Sequence, residues 1–199
     1  MEQNIEKVYV QKKNSKNFTI RVFCTILGFL LAFICIMYAK HISRIVPFAT
    51  VIGTGIALIL IMIFTYRLPI HLCLLSILFC IAANGLGSIV GLYKMFALYD
   101  NIIHYISGIL LSAIGYYVIG MIAEKQQVHL TFFIHIIFTL FFGIACAGLW
   151  EIYEFSVDQL LNLSMQGNNI DTMSDIVAGS LGAITFSIVK NVFHKKQSV

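Results

Sequence analysis

The sequence predicts an all-α, polytopic membrane bundle of about six transmembrane helices, and three observations predict it. Of 199 residues, 59% are apolar and only 11% are charged, against about 25% charged in a soluble domain. Mean hydropathy is +0.90, so a water-soluble globule has nowhere to hide the apolar surface, and disorder is excluded by the same numbers. Six apolar runs lie near 18–38, 46–66, 70–91, 101–122, 130–155 and 172–192. Each is close to the ~20 residues that cross about 30 Å of hydrocarbon. Together they form a single transmembrane domain over 18–193, flanked by residues 1–17 and 194–199, with no room for a separate soluble domain.

Residues 1–17 carry Lys7, Lys12, Lys13 and Lys16 beside Glu2 and Glu6, a cytoplasmic basic tail suited to the anionic inner leaflet. The first run is too long for a signal peptide and lacks a small-residue cleavage site, so it reads as an uncleaved anchor. Between the second and third runs only Arg67, Leu68 and Pro69 intervene. A tight turn is expected there, because proline begins helices far more readily than it sits inside them. The five cysteines (Cys24, Cys35, Cys73, Cys80 and Cys146) all fall in apolar runs without a C-x-x-C spacing. They read as small buried hydrophobes rather than a disulfide or zinc framework.

Lys and Arg placement sets the orientation. With the N-terminus inside, Lys7, Lys12, Lys13, Lys16, Arg21, Arg67, Lys125, Lys190, Lys195 and Lys196 face the cytoplasm, and only Lys40, Arg44 and Lys94 face out. Both termini are therefore expected in the cytoplasm of a multi-pass protein of the bacterial plasma (inner) membrane. Acidic residues sort the other way: Asp100, Glu151, Glu154, Asp158, Asp171 and Asp175 fall at the outer ends of spans four, five and six. The positive-inside rule counts Lys and Arg and leaves this clustering unexplained.

Helical geometry ties the clusters together. Asp100 and His104 share a face at the start of span four, and Asp171 and Asp175 repeat that spacing at the start of span six. Glu151, Glu154 and Asp158 fall within about 60° of arc at the end of span five. Carboxylates this dense cannot all stay ionised and unpaired, so protons, a metal cation or a cationic substrate group must balance them. Imidazole with carboxylates suits Zn²⁺, Mn²⁺ or Fe²⁺, and carboxylates alone suit Mg²⁺ or Ca²⁺. The expected ligands are His104, Glu151, Glu154 and Asp175, with Asp100 and Asn101 lining the site and Asp158 or Asp171 as general base. Against this stands a plainer reading: Asp100 and Asp171 sit where a helix N-terminus favours a carboxylate.

The remaining polar and small residues have structural readings. Asn84, near Gly85, Gly87 and Gly91, suits interhelical hydrogen bonding. His41 and His71 are boundary residues, and His129 and His135 are interfacial or core histidines. Trp150, Tyr153, Tyr93 and Tyr99 fit an interfacial aromatic belt. Gly108, Gly115, Gly143, Gly148, Gly179 and Gly182 let helices approach closely. Segment 159–170 reads either as a lid or re-entrant hairpin over the acidic cleft or as a plain connection.

Three stretches, Y-D-N-I-I-H (99–104), W-E-I-Y-E-F-S-V-D (150–158) and D-T-M-S-D-I-V-A-G-S-L-G-A (171–183), resemble the YjdF-like family of small bacterial inner-membrane proteins. The likeness covers about 99–183. A more distant one is to VanZ-like proteins, associated with glycopeptide antibiotic resistance. These also carry an acidic residue four before a histidine, a later glutamate and an aspartate-led, glycine-containing last motif. This chain has Asn101 where their pattern prefers lysine, and Gly179 where it prefers asparagine. The resemblance implies a shared site rather than a named reaction.

Two functions compete. One is an enzyme of the outer leaflet, using a divalent metal (Zn, Mn, Fe or Mg) on a lipid or lipid-linked envelope precursor; neither G-x-S-x-G nor H-E-x-x-H is present. The other is a non-enzymatic binder or carrier of protons, cations or a cationic amphiphilic ligand. Membrane lipid is the expected partner and nucleic acid is not.

Overall fold

A computed structural model describes the backbone of residues 2–161 and 165–197 and the side chains of 17–160 and 165–194. Its described residues are helices and turns without a strand: α1 (Glu2–His41), α2 (Phe48–Phe64), α3 (Ile70–Cys80) continuing as a π-helical stretch (Ile81–Val90), α4 (Leu92–Met95), α5 (Tyr99–Lys125), α6 (Phe132–Leu161) and α7 (Asn169–Gln197). Five spans, Asn17–His41, Ile70–Val90, Tyr99–Lys125, Phe132–Leu160 and Asn169–His194, are long and apolar enough to cross a membrane. The chain is a multi-pass helical membrane protein, consistent with a bacterial inner membrane.

The run expected over 46–66 is shorter as a helix. Pro47 stands at the N-cap of α2 and Thr65 ends it, leaving 17 residues, or about 25 Å at 1.5 Å per residue. The turn that follows is held from outside. Arg21 of α1 is 3% exposed; it donates from Nη1 to the Thr65 carbonyl at 2.7 Å and from Nη2 to the Leu68 carbonyl. A buried guanidinium thus satisfies the carbonyl at the C-cap of α2 and a second one in the turn that follows.

The chain divides into two compact units, 1–95 and 96–199. In the first, Cys24, Leu58, Cys73, Ile77 and Cys80 form one buried cluster, and Cys35, Ala39, Ile89 and Val90 another. All five cysteines are free thiols. The π-helical stretch ends at Gly91, whose φ of +99° is left-handed backbone that glycine adopts without a Cβ clash.

The second unit is a three-helix bundle of α5, α6 and α7. Its closest contacts are between small residues. A Cβ on Gly108 of α5 would collide with the Gly179 carbonyl of α7, one on Gly182 with the Tyr105 carbonyl, and one on Gly179 with Ala147 of α6. Gly143 closes on Ser112 and Ala183, and Gly115 on Phe142. Lipid supplies no hydrophobic drive between helices, so backbone proximity of this kind carries much of the association. Gly148 differs from the other five glycines expected at close approaches, since nothing stands within 4 Å of its would-be Cβ.

Gly182→Val is expected to part α5 from α7 and destabilise the protein by about 1–3 kcal/mol, as overpacking does. Gly148→Ala should melt at or above wild type, because it fills open space and removes a helix-interior glycine. Thermal unfolding in detergent reads both. Equal tolerance at the two positions would contradict the packing assigned to Gly182.

Candidate metal centre

One layer of side chains stands a turn from the small-residue contacts. Gly108, Gly179 and Ala147 pack together, and four residues from each lie His104, Asp175 and Glu151. A displacement of four residues keeps nearly the same helical face. The packing that closes the bundle therefore turns an imidazole and two carboxylates inward from three different helices. His104, Glu151 and Asp175 are 8%, 3% and 3% exposed.

Asp100 completes the layer from the first turn of α5, with 39% of its side chain exposed. It forms the open flank of a cluster otherwise enclosed by helices. Around His104 Nε2 lie Asp100 Oδ1 at 3.5 Å, Glu151 Oε1 at 3.9 Å and Asp175 Oδ2 at 4.0 Å. None of these is within ordinary N–H···O distance. One nitrogen also has a single proton to offer three acceptors. Ligand atoms of Asp100, His104 and Asp175 all lie within 4.8 Å of one another, so the three can share one metal ion. An imidazole with carboxylate oxygens is a donor set for a first-row divalent ion.

Neighbouring groups fix the ligands unevenly. Asn101 Nδ2 donates to Asp175 Oδ1 at 3.1 Å and to Ser174 Oγ at 2.9 Å. It anchors one carboxylate oxygen and leaves the other facing His104. Glu151 has no such anchor: both its oxygens are buried without a hydrogen-bond partner, and so is Thr172 Oγ1. Within 96–199 the lysines are Lys125 and Lys190, toward the opposite ends of α5 and α7, and residues 195 and 196, whose backbone lies in the last turn of α7. No lysine or arginine of this unit balances the cluster.

The other acidic residues have hydrogen-bond partners or neighbours of their own. Glu154, half-buried, accepts a hydrogen bond from Trp150 Nε1 at 2.9 Å, one turn back on its own helix. Asp158 lies on α6 about two turns beyond Glu151. It takes the Met165 amide at 2.7 Å (Oδ1) and 2.9 Å (Oδ2) and the Gln166 amide at 2.9 Å (Oδ2). Its carboxylate is committed to the α6–α7 connection. In that connection Gln159–Leu161 continue α6, residues 162–164 lie outside the described residues, and 165–168 lead into α7. Part of the segment read as a lid or a plain connection thus lies beyond description.

Asp171 stands in the first turn of α7, with its carboxylate against Gly167. The N-cap there is Asn168, whose Oδ1 accepts from the amides of Ile170 at 2.9 Å and Asp171 at 3.2 Å. At α5 the N-cap is Leu98, with no side-chain cap. Neither Asp100 nor Asp171 is therefore a capping residue, although both gain from the helix dipole. Two members of the surroundings carried little signal in the sequence, Ser174 and Thr172. The available clue was spacing, since Thr172 precedes Asp175 by three residues and shares its face.

Residues 21–196 match the family described as predicted membrane protein (DUF2238), and the chain belongs to that family. No curated protein and no solved structure matches it.

Asp158→Ala is expected to lower stability by about 1–3 kcal/mol, through the loss of partly solvated charge-assisted bonds, while the cluster keeps its affinity for Mn²⁺. Asn101→Ala should do the reverse, weakening Mn²⁺ binding about 10–100-fold, as loss of a ligand-orienting partner does. Isothermal titration and thermal melts of both variants separate the two roles. Loss of Mn²⁺ binding in a folded Asp158→Ala protein would contradict the division.

Proposed function

Starting from a member of this membrane-protein family with a buried Asp–His–Asp cluster, we propose that the protein binds a divalent metal ion near the outer membrane face and presents it to the phosphate ester of a lipid or lipid-linked envelope substrate. The observation that carries the reading is the convergence of Asp100, Glu151 and Asp175 on His104 Nε2 at 3.5–4.0 Å, within a unit that offers them no lysine or arginine. Asp100, His104 and Asp175 would hold the ion, with Glu151 beside them from the third helix. A bound divalent ion supplies Lewis-acid polarisation of a phosphoryl oxygen and a more acidic water.

The chain's own residues set access and orientation. Asp100 is the exposed flank, the side from which a headgroup reaches the cluster. Asn101 holds Asp175 in place. Exposed Ile102, Trp150, Tyr153 and Met173 on the surrounding helix faces suit acyl chains and the headgroup boundary. The outer-face assignment rests on the bias of lysine and arginine toward the other ends of the helices. The likeness of 99–104, 150–158 and 171–183 to YjdF-like and VanZ-like proteins belongs to the same proposal, as a shared envelope-facing site.

A second reading is favoured by one feature. Among the described residues of 96–199, lysine and arginine keep to the other ends of the helices, which suits a cation or a cationic amphiphile directly, with no phosphate chemistry.

Elemental mass spectrometry on detergent-purified protein is expected to find near-stoichiometric Zn, Mn or Fe, lost from a folded His104→Ala/Asp175→Asn protein. The metal-loaded protein should then release phosphate from lipid phosphate esters, and the double variant should not. Specific metal without turnover would favour the binder. No specific metal, even after reloading with divalent cations, would sink the metal reading.

A further inference from the structure

The cluster that would hold one ion leaves a second set of oxygens unsatisfied. Both Glu151 oxygens and Thr172 Oγ1 are buried without a hydrogen-bond partner, and Glu151 as a whole is only 3% exposed. Burying a carboxylate without partners is among the costlier arrangements in a protein. The Thr172 hydroxyl lies beside Glu151 without closing a hydrogen bond of good geometry. Thr172 and Asp171 flank Asp175 on α7, three and four residues before it, so each neighbours Asp175 on the helix surface.

Charge points the same way. Asp158 lies on backbone amides and Glu154 on Trp150, and the four carboxylates whose charges act on one another across the cluster are Asp100, Glu151, Asp171 and Asp175. A single divalent ion balances two of them.

We propose a second divalent-cation subsite beside the first, built from Glu151 and Thr172 with Asp171 at its edge, in which Glu151 bridges the two ions. This inference rests on the first site being a metal site. Glu151 suits the bridging role because Oε1 already faces His104 Nε2 at 3.9 Å, while its carboxylate borders the Thr172 hydroxyl on α7. An all-oxygen set of carboxylate and hydroxyl selects a hard ion such as Mg²⁺ or Mn²⁺, with water or substrate phosphate filling the remaining positions. The imidazole-containing site prefers Zn²⁺, Mn²⁺ or Fe²⁺. Mn²⁺ is common to both. Paired ions about 3.5–4 Å apart clamp a phosphate ester from two sides, so the substrate class is a phosphate ester.

The test is titration of Mn²⁺ into the metal-stripped full chain in detergent, followed by electron paramagnetic resonance. The expected result is about two equivalents per chain with a spin-coupled spectrum. Thr172→Val and Glu151→Gln should each bind about one equivalent, with the spectrum of an isolated ion. Thr172→Val is nearly isosteric and serves as the folded comparison if Glu151→Gln destabilises the bundle. One equivalent in the wild type would overturn the second subsite and leave the first standing. Two magnetically isolated ions, or a second equivalent that survives Thr172→Val, would also overturn it. No Mn²⁺ binding at all would overturn both sites.

Discussion

Backbone-to-backbone contact between α5 and α7 is the constraint on which the site depends. Gly108 lies against the Gly179 carbonyl and Gly182 against the Tyr105 carbonyl, approaches that any side chain would prevent. Ala147 of α6 closes on Gly179 from the third direction. These contacts set the register of the three helices. One turn away, the same register brings His104, Asp175 and Glu151 face to face. In a bilayer, where apolar burial gives helices no preference for one another over lipid, small residues are an economical way to fix a polar layer. The cost of desolvating that layer falls on packing that is already tight.

The polar layer is asymmetric in its support. Asp175 is held through Asn101, whose other hydrogen bond runs to Ser174, and His104 is enclosed. Asp100 remains partly exposed, and Glu151 is enclosed without a hydrogen-bond partner. A fully braced cluster of buried charge serves structure, with each lone pair assigned. Here the assignments run out at Glu151 and Thr172, and the unit supplies no lysine or arginine to make up the balance. That combination is what turns an acidic cluster into a site for an external cation.

Much of this was legible in the sequence, through periodicity and spacing. Apolar run length marked the long helices, and D-x-x-x-H at 100–104 and D-x-x-x-D at 171–175 placed ligand-type residues on shared faces. Other features depend on contacts that spacing does not encode. Asp158 and Glu151 share a face of α6, yet the chain after α6 returns its Met165 and Gln166 amides to Asp158, a tertiary event. Glu154 is taken by an indole on its own helix. The short α2 follows from Pro47 at its start and from Arg21 gripping the turn after it, a partner 44 residues away from Thr65. The pairs H-x-x-x-G, A-x-x-x-E and D-x-x-x-G, at 104–108, 147–151 and 175–179, carried the register in plain view. Their meaning appears only once the three helices are laid against one another.

The central claim is that a metal ion sits on His104 together with carboxylate oxygens from neighbouring helices. Electron spin-echo envelope modulation of Mn²⁺ bound to the full chain in detergent tests it directly, because a directly bound imidazole nitrogen modulates the echo and carboxylate oxygen does not. A nitrogen modulation from a single imidazole is expected in the wild type and in His135→Ala, and its loss is expected in His104→Ala. Bound Mn²⁺ with no nitrogen modulation, or a modulation that persists without His104, would contradict the site as built here.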